Sequence, residues 1–584
     1  MIFDAPNRNR FWAELLVEEL VRCGVSFFSL APGSRSTPLV TAVAAHPEAR
    51  AHMHFDERGA AFLALGYARA TGRGAAWVTT SGTAVANGLP AVVEAAMDGV
   101  PLLLLTADRP PELRDTGANQ AIDQVKLFGD YVRWQFDLPV PDPAPDPAMV
   151  LTTVDQAVYR ACRAPRGPVH LNVMFREPLA PEPDGGDFPA EGASLRAWYA
   201  RGTPYTTYTG PAWTTSPPGD FVEILAGVER GLVVAGRLGT AAEGQAVRRL
   251  AEALGWPLLP DVGSQVRLGR EHASPVRVDY FDLLLAQPGF AETHRPEAVL
   301  HFGRRPTSKR LARLLETTAP PLYALFQPDP FRHDPAHRVT HRFEVDLAAF
   351  ATALATAVPS RAAGAAAWLA GWKTASDRVG AWLNTALPAT GLSEPAVAHA
   401  VTRLLPPEHS LVLAASMPVR DADVFAAADG PAVPVFANRG ASGIDGTVAT
   451  AAGVALGRAA PATLLIGDLA LLHDLNSLAL LRRAPVVVVV LNNDGGGIFH
   501  FLPIARHTGV FEPFFGTPHG LGFEHAARLF DLPYHRPATL ADFEAAYREA
   551  CATGQAALIE VVTDRRANRA LHDRLQKEAG EALA

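Results

Sequence analysis

An apolar run, Thr463 to Ile466, ends in Gly467-Asp468, and a second, Val486 to Leu491, ends in Asn492-Asn493 just ahead of Gly495. A carboxylate, an amide oxygen and an open glycine backbone are hard oxygen donors. They suit Mg²⁺ that also takes phosphate oxygens from a ligand. The second run is five valines and a leucine, so both faces should be buried, as in a parallel sheet. A helical segment separates the two runs, which is the order of a βαβ unit. Parallel strands of such a unit end on one sheet edge, so Asp468 and Asn493 can meet there. Taken singly, Gly-Asp also reads as a turn with a helix cap, and Asn-Asn-Asp-Gly as a plain loop. Their pairing across one βαβ unit favours a metal-bound diphosphate.

Other strand ends carry polar groups as well. APGSRSTPL (Ala31 to Leu39) places Ser34, Arg35, Ser36 and Thr37 after a Pro-Gly turn. That set could hold a carboxylate or phosphate, or simply start a capped helix. In HFDERGAAF, Glu57 opens a helix with a smooth Ala/Gly face. It is either an acid favoured by the helix dipole or a carboxylate facing a ligand nitrogen. TTSGTAVANG follows a strand at Thr79, and TADRPPELRDTGANQ puts Arg109, Asn119 and Gln120 on a polar loop. As loop residues they read equally as ordinary solvated side chains, yet an arginine next to Pro-Pro has a set direction and can clamp a carboxylate. Further on, SMPVRDAD supplies Ser416 and Arg420, and NRGASGIDG supplies Asn438, Arg439 and Ile444. GRRPTSKR, with Arg304 and Lys309, reads best as a solvated basic face, and GRLGTAAEG is a weak glycine loop.

The elements that must position these groups alternate strand and helix. Strands are expected at Val25–Leu30, Ala75–Thr79, Pro101–Thr106 and Pro168–Val173, with helices at Asn9–Arg22, Glu57–Thr71 and Ala84–Met97. A Pro/Gly-rich acidic linker follows, Glu177 to Gly192. A second block has strands at Leu232–Ala235, Ala298–Phe302 and Pro321–Phe326. After a break around Ala357 to Ala365, a third has Ser410–Ala414, Val433–Ala437, Thr463–Ile466, Val486–Leu491 and Ala557–Val562. The fold class expected is α/β: three doubly wound domains with mainly parallel sheets, at residues 1–185, 200–355 and 366–584.

The 584 residues are 48% hydrophobic and carry a net charge of -8, so no general attraction to nucleic acid or anionic membranes is expected. Anionic substrates would need local arginines instead. Three scattered cysteines form no disulfide framework and fit a reducing cytoplasm. The N-terminal stretch carries acids among its apolar residues, unlike a signal peptide, and the longest aliphatic run is too short to span a bilayer.

The Gly-Asp to Asn-Asn pattern resembles the diphosphate-binding motif of the thiamin diphosphate-dependent enzyme superfamily. Leu469 stands where the commonest members have glycine. Together with APGSRSTPL, FDERGAA, TADRPPELRD, NRGASGIDG and NNDGGGIF, it resembles one branch, the 2-succinyl-5-enolpyruvyl-6-hydroxy-3-cyclohexene-1-carboxylate synthases of menaquinone biosynthesis. The resemblance covers the first and last blocks; the middle one matches in length and α/β character. It implies a thiamin diphosphate fold in the first (pyrimidine-binding) and last (diphosphate-binding) domains. It implies a homodimer or homotetramer with the active site at the subunit interface, and decarboxylation of 2-oxoglutarate followed by 1,4-addition of the succinyl fragment to isochorismate. By the same resemblance Glu57 serves the cofactor's aminopyrimidine N1′ as catalytic acid–base. Asp468, Asn493 and the Gly495 carbonyl hold Mg²⁺ or Mn²⁺. Thr80, Ile444, Gly467, Leu469, Gly496 and Ile498 complete the cofactor contacts, with Ile444 as a buttress. Ser34, Arg35, Arg109, Asn119, Gln120, Ser416, Arg420 and Arg439 bind substrate, and Arg35, Arg109, Gln120, Arg420 and Arg439 join Glu57 in catalysis. Phe499 and Leu502 form an apolar wall.

Overall fold

A computed structural model of the chain describes residues 2–210, 212–358 and 364–583. The break expected around Ala357 to Ala365 includes residues 359–363, which lie outside the described ones. Three sheets form, and every strand pair in them is parallel. The first contains β1 (Phe27–Leu30), β2 (Arg50–Met53), β3 (Ala75–Thr79), β4 (Leu102–Asp108), β5 (Trp134–Leu138) and β6 (Pro168–Met174), ordered β2-β1-β3-β4-β6-β5. The second contains β7 (Gly231–Ala235), β8 (Leu258–Pro260), β9 (Ala298–Phe302), β10 (Leu322–Gln327) and β11 (His341–Glu344), ordered β11-β10-β9-β7-β8. The third contains β12 (Ser410–Leu413), β13 (Val435–Ala437), β14 (Ala462–Gly467), β15 (Val486–Asn492), β16 (Tyr534–His535) and β17 (Ala557–Val562), ordered β13-β12-β14-β15-β17-β16. Counted along the chain, the first and third sheets wind in the same order. One architecture is thus used twice, with a different sheet between.

All three sheets are α/β with parallel strands, as expected. Central strands are buried throughout: β4, β6 and β15 have no exposed residue. A strand covered by a hydrophobic layer on both faces is mostly apolar, which is why β4 and β15 begin as continuous apolar runs; β6 buries His170 and Asn172, which are satisfied by Thr106 on β4. The helix expected over Ala84–Met97 is instead two, Thr83–Asn87 and Leu89–Asp98. The join is Gly88, where a Cβ would lie 2.3 Å from the Trp77 ring. The buried indole leaves room only for a glycine, and Pro90 starts the second helix.

By compactness the chain divides into two units. One is Met1–Pro211 with Asn438–Ala459 and His473–Ala484; the other is Ala212–Ala437 with Ala460–Leu472 and Pro485–Ala584. The Arg439 and Ile444 loop therefore groups with the first sheet. Within that unit the Glu57–Thr71 helix packs directly on the Thr447–Arg458 helix. A Cβ on Gly66 would lie 2.2 Å from the Thr450 carbonyl oxygen, and one on Gly453 2.2 Å from that of Leu63. Among the described residues no helix is long and apolar enough to cross a membrane.

Candidate active site

β14 and β15 are paired in register, Gly467 opposite Leu491, so Asp468 and Asn493 leave neighbouring strand ends. Asp468 is 2% exposed. Its Oδ1 accepts the Leu469 N–H at 2.6 Å and its Oδ2 the Gly495 N–H at 2.8 Å. That second bond ties the two loops together. Asn493 is also buried. Its Nδ2 donates to Glu394 Oε1 at 2.9 Å, while its Oδ1 is buried with no partner among the described residues. A buried acceptor without a donor is costly unless something else satisfies it. A divalent cation held by Asp468, Asn493 and the Gly495 carbonyl would do so, and the donor set is of the hard oxygen kind that Mg²⁺ takes. The residues fit the metal.

The Gly495 backbone is set by close neighbours. Its φ is +129°, and a Cβ there would lie 2.0 Å from the Gly516 carbonyl oxygen. The Gly496 N–H donates to that same carbonyl at 2.7 Å, and a Gly496 Cβ would meet Phe515 O at 2.2 Å. Arg565 donates to the Asp494 and Gly516 carbonyls and pairs with Glu512 at 3.0 Å. His519 Nε2 lies 3.2 Å from Asp468 Oδ2. Ile498, Phe499 and Leu502 follow, half-buried, with Phe499 edge-on to Phe515 at 5.5 Å between centroids. Leu469 and Gly467 are half-buried, and no atom lies within 4 Å of where a Gly467 Cβ would be. Ser416 holds a positive φ of 73° at the start of the Met417–Phe425 helix, and Arg420 donates to its carbonyl.

The other unit gathers a second set. Glu57 is the first residue of its helix, half-buried, with Asn87 Nδ2 3.5 Å from its Oε2. Asp56 caps the helix, and Arg58 reaches the His473 carbonyl at 2.7 Å. Arg35 and Arg109 are each under a tenth exposed. Arg35 Nη1 donates to the Phe175 carbonyl at 2.9 Å, and its Nε is buried without a partner. Arg109 donates to Ser81 Oγ, and the Ser81 carbonyl accepts from Gln120 Nε2 at 2.9 Å. Burial first, and then the charge of Arg35, lower the Arg109 pKa. Thr80 is buried under Gly33, with its hydroxyl unpartnered. Ser34 and Asn119 are exposed, Gln120 is exposed with a φ of 59°, and Arg439 and Ile444 are half-buried. A cavity of about 280 Å³ lies beside the Arg439–Ile444 loop, lined by Phe62, Leu89, Glu94, Asn438, Gly443 and Asp445. In the second sheet's domain Arg304 pairs with Asp329 at 2.7 Å, and Lys309 is exposed.

Four supporting residues escaped the sequence reading. Glu94 is buried and accepts the Gly440 and Ala441 N–H groups at 2.9 and 2.7 Å, holding the loop that carries Arg439. Asp474 accepts the Val448 and Ala449 N–H groups at 2.8 and 3.1 Å, capping the helix that follows Ile444. Gln124 accepts the Gly82 N–H at 3.0 Å and donates to Asn172 at 2.9 Å, closing the Arg109–Gln120 loop. Glu394 orients Asn493. The available signal was an acid on an otherwise apolar helix face, as in LPAVVEAAM around Glu94.

A parallel sheet wound twice in one order, with a buried oxygen set at the strand ends of the last copy, defines a thiamin diphosphate-dependent enzyme. Residues 12–127 match "Thiamine pyrophosphate enzyme, N-terminal TPP binding domain", residues 192–413 "Middle domain of thiamine pyrophosphate", and residues 430–561 "Thiamine pyrophosphate enzyme, C-terminal TPP binding domain". A solved structure described as "a putative thiamin diphosphate-dependent enzyme isolated from Mycobacterium smegmatis" superposes with a TM-score of 0.70 over 95% of this chain and 99% of that one. At 17% identity it speaks to the fold alone. Within that class the chain belongs to the 2-succinyl-5-enolpyruvyl-6-hydroxy-3-cyclohexene-1-carboxylate synthase family. It is 60% identical to the synthase of Rubrobacter xylanophilus over 98% of this chain and 99% of that one. It is 58% identical to that of Salinibacter ruber over 100% and 98%, and 45% identical to that of Chlorobaculum tepidum over 97% and 96%.

Proposed function

We propose that this chain decarboxylates 2-oxoglutarate with thiamin diphosphate and adds the four-carbon fragment in a 1,4 sense to isochorismate. The product is 2-succinyl-5-enolpyruvyl-6-hydroxy-3-cyclohexene-1-carboxylate, on the way to menaquinone. The observation that carries the reading is the Asp468 and Asn493 pair at adjacent strand ends, with the Asn493 Oδ1 buried and unpaired. When bound, thiamin diphosphate supplies the carbanion-stabilising centre that such a reaction needs.

The residues divide the work by their chemistry. Asp468, Asn493 and the Gly495 carbonyl hold Mg²⁺ or Mn²⁺, and Gly467, Leu469, Gly496 and Ile498 line the same loops. Glu57 holds a proton toward N1′ of the aminopyrimidine, while Thr80 and Ile444 support the cofactor. Arg35, Arg109, Arg420 and Arg439 bind substrate carboxylates, and Ser34, Asn119, Gln120 and Ser416 their hydroxyls and remaining oxygens. Two dicarboxylate substrates entering a protein of net charge -8 require this local positive charge. Phe499 and Leu502 exclude water from the reacting carbon. The functional division is 1–185, 200–355 and 366–584, in a cytoplasmic homodimer or homotetramer whose active site lies at the subunit interface.

Mass spectrometry of the reaction with thiamin diphosphate, Mg²⁺, 2-oxoglutarate and isochorismate tests the reading. The expected product is isochorismate plus a succinic semialdehyde unit, absent when either substrate is omitted. Release of CO₂ without an adduct would reassign the acceptor. No reaction with cofactor bound would reassign the 2-oxoacid.

A further inference from the structure

Arg35 and Arg109 are each under a tenth exposed, and the Arg109 charge is disfavoured first by its burial and then by the charge of Arg35. Asp108, next in sequence, favours the Arg109 charge more than Glu177 does, but it makes no hydrogen bond to the Arg109 guanidinium. Its Oδ1 accepts the Arg109 backbone N–H at 2.7 Å, and its Oδ2 accepts from Asn172 at 2.9 Å and Arg114 at 3.3 Å. The carboxylate that pairs with Arg35 is Glu177, the first residue of the Pro/Gly-rich linker, with Oε1 3.2 Å from Arg35 Nη2. Its charge also acts on Arg109. The two sides of this ion pair differ in freedom. The Arg35 side chain is 9% exposed and anchored to the Phe175 carbonyl, whereas the Glu177 side chain is 69% exposed. The segment is steadied from outside by Arg176, which pairs with Glu112 through two bonds of 2.6 and 3.0 Å.

We infer that Glu177 is a specificity-determining placeholder: its carboxylate occupies the position on Arg35 that a substrate carboxylate takes, and it must swing into solvent for that substrate to bind. The inference rests on the proposed role of these two arginines. Its physical basis is that two like charges under a tenth exposed are unfavourable without an anion. A tethered carboxylate keeps the pair formed while the site is free of ligand. Its solvent-exposed stem makes it easy to displace, because exposed ion pairs are weak. It also favours ligands that bring a carboxylate of their own over neutral ones, which cannot replace it.

The test is steady-state kinetics of the full-length enzyme with both substrates, on Glu177→Gln, Arg176→Ala and Arg35→Ala. Glu177→Gln is expected to lower the KM of one substrate by about twofold to fivefold, the worth of an exposed pair. Arg176→Ala, which frees the segment, moves it the same way. The gain shrinks as NaCl rises from about 0.05 to about 0.5 M, because salt screens an exposed carboxylate. Arg35→Ala raises that same KM. Two results overturn the placeholder alone: a raised KM in Glu177→Gln, which makes Glu177 an aligner of Arg35, or unchanged KM values with Arg35→Ala still impaired. Unchanged KM values in Arg35→Ala would instead overturn the arginine assignment, and the placeholder with it.

Discussion

Glu394 offers the sharpest test of the metal site, because it touches no ligand in the reading given above and acts only through Asn493. It is 1% exposed, and its Oε1 accepts from Asn493 Nδ2 at 2.9 Å and from Thr563 Oγ1 at 3.0 Å. An asparagine amide has one acceptor end and one donor end, so fixing Nδ2 on Glu394 leaves the buried Oδ1 as the end available to a cation. Glu394→Leu keeps the volume and removes the acceptor. Nδ2 is then buried and unpaired, at a cost of about 1–3 kcal/mol, and the amide can relieve this by turning over. A turned amide points N–H at the cation. Losing the partner that orients a ligand commonly weakens metal binding 10–100-fold, or about 1.4–2.7 kcal/mol. Burial first, and then the nearby Asp421 charge, push the Glu394 carboxyl up to about 7. Glu394→Gln, neutral and still an acceptor, should therefore lie close to the parent. The assay is Mn²⁺ binding by electron paramagnetic resonance with thiamin diphosphate present, alongside thermal melting. A folded Glu394→Leu protein with unchanged Mn²⁺ affinity would refute the reasoning.

Three further outcomes are expected. Glu57→Gln should retain thiamin diphosphate by calorimetry while turnover drops about 10²–10⁴-fold, the usual worth of a positioned acid–base group; near-normal turnover would remove Glu57 from that role. Gly66→Val puts a side chain where the Thr450 carbonyl already stands 2.2 Å from a Cβ, so overpacking should lower stability by about 1–3 kcal/mol in denaturant melts, with a matching loss of activity; an unchanged melt would mean the two helices are not tightly apposed. Glu19 is buried, and desolvation first, then a shared hydrogen bond with Asp155, raise its pKa from 4.5 to about 8. An acid whose folded pKa is raised binds its proton more tightly when folded, so its contribution is full below 4.5 and is lost as pH climbs to about 8, at no more than about 1.4 kcal/mol per pH unit. The melting temperature should fall between pH 6 and pH 8.5, and Glu19→Gln should flatten that fall; an equal slope in both proteins would count against the linkage.

Legibility in the sequence followed burial. The strands expected in advance are nearly all interior ones: β1, β3, β4 and β6, then β7, β9 and β10, then β12, β14, β15 and β17, with β13 the one edge strand among them. Those passed over, β2, β5, β8, β11 and β16, are all sheet edges. β2 reads RAHM and β11 reads HRFE, with residues partly or fully exposed. An edge strand that solvent partly covers needs no continuous apolar run, and β8, though buried, is only Leu258–Pro260, so each leaves a weak pattern. Asp468 and Asn493 were legible for the opposite reason. They interrupt apolar runs at the point where a parallel strand must end.

What the sequence by itself determined was the parallel α/β character, the strand ends that carry polar groups and the residue types able to hold a metal, a diphosphate and carboxylates. Tertiary structure decided which groups serve which. Glu94 and Asp474 are acids in helical or turn context whose spacing shows nothing special, yet each accepts two backbone N–H groups from a loop or helix hundreds or tens of residues away. Glu394 falls in no motif that the sequence singles out, and Glu177 reads as linker. Hydrogen bonds and ion pairs act over about 3 Å. Which side chains come that close is set by how helices pack and strands register, and no local pattern of residues records it.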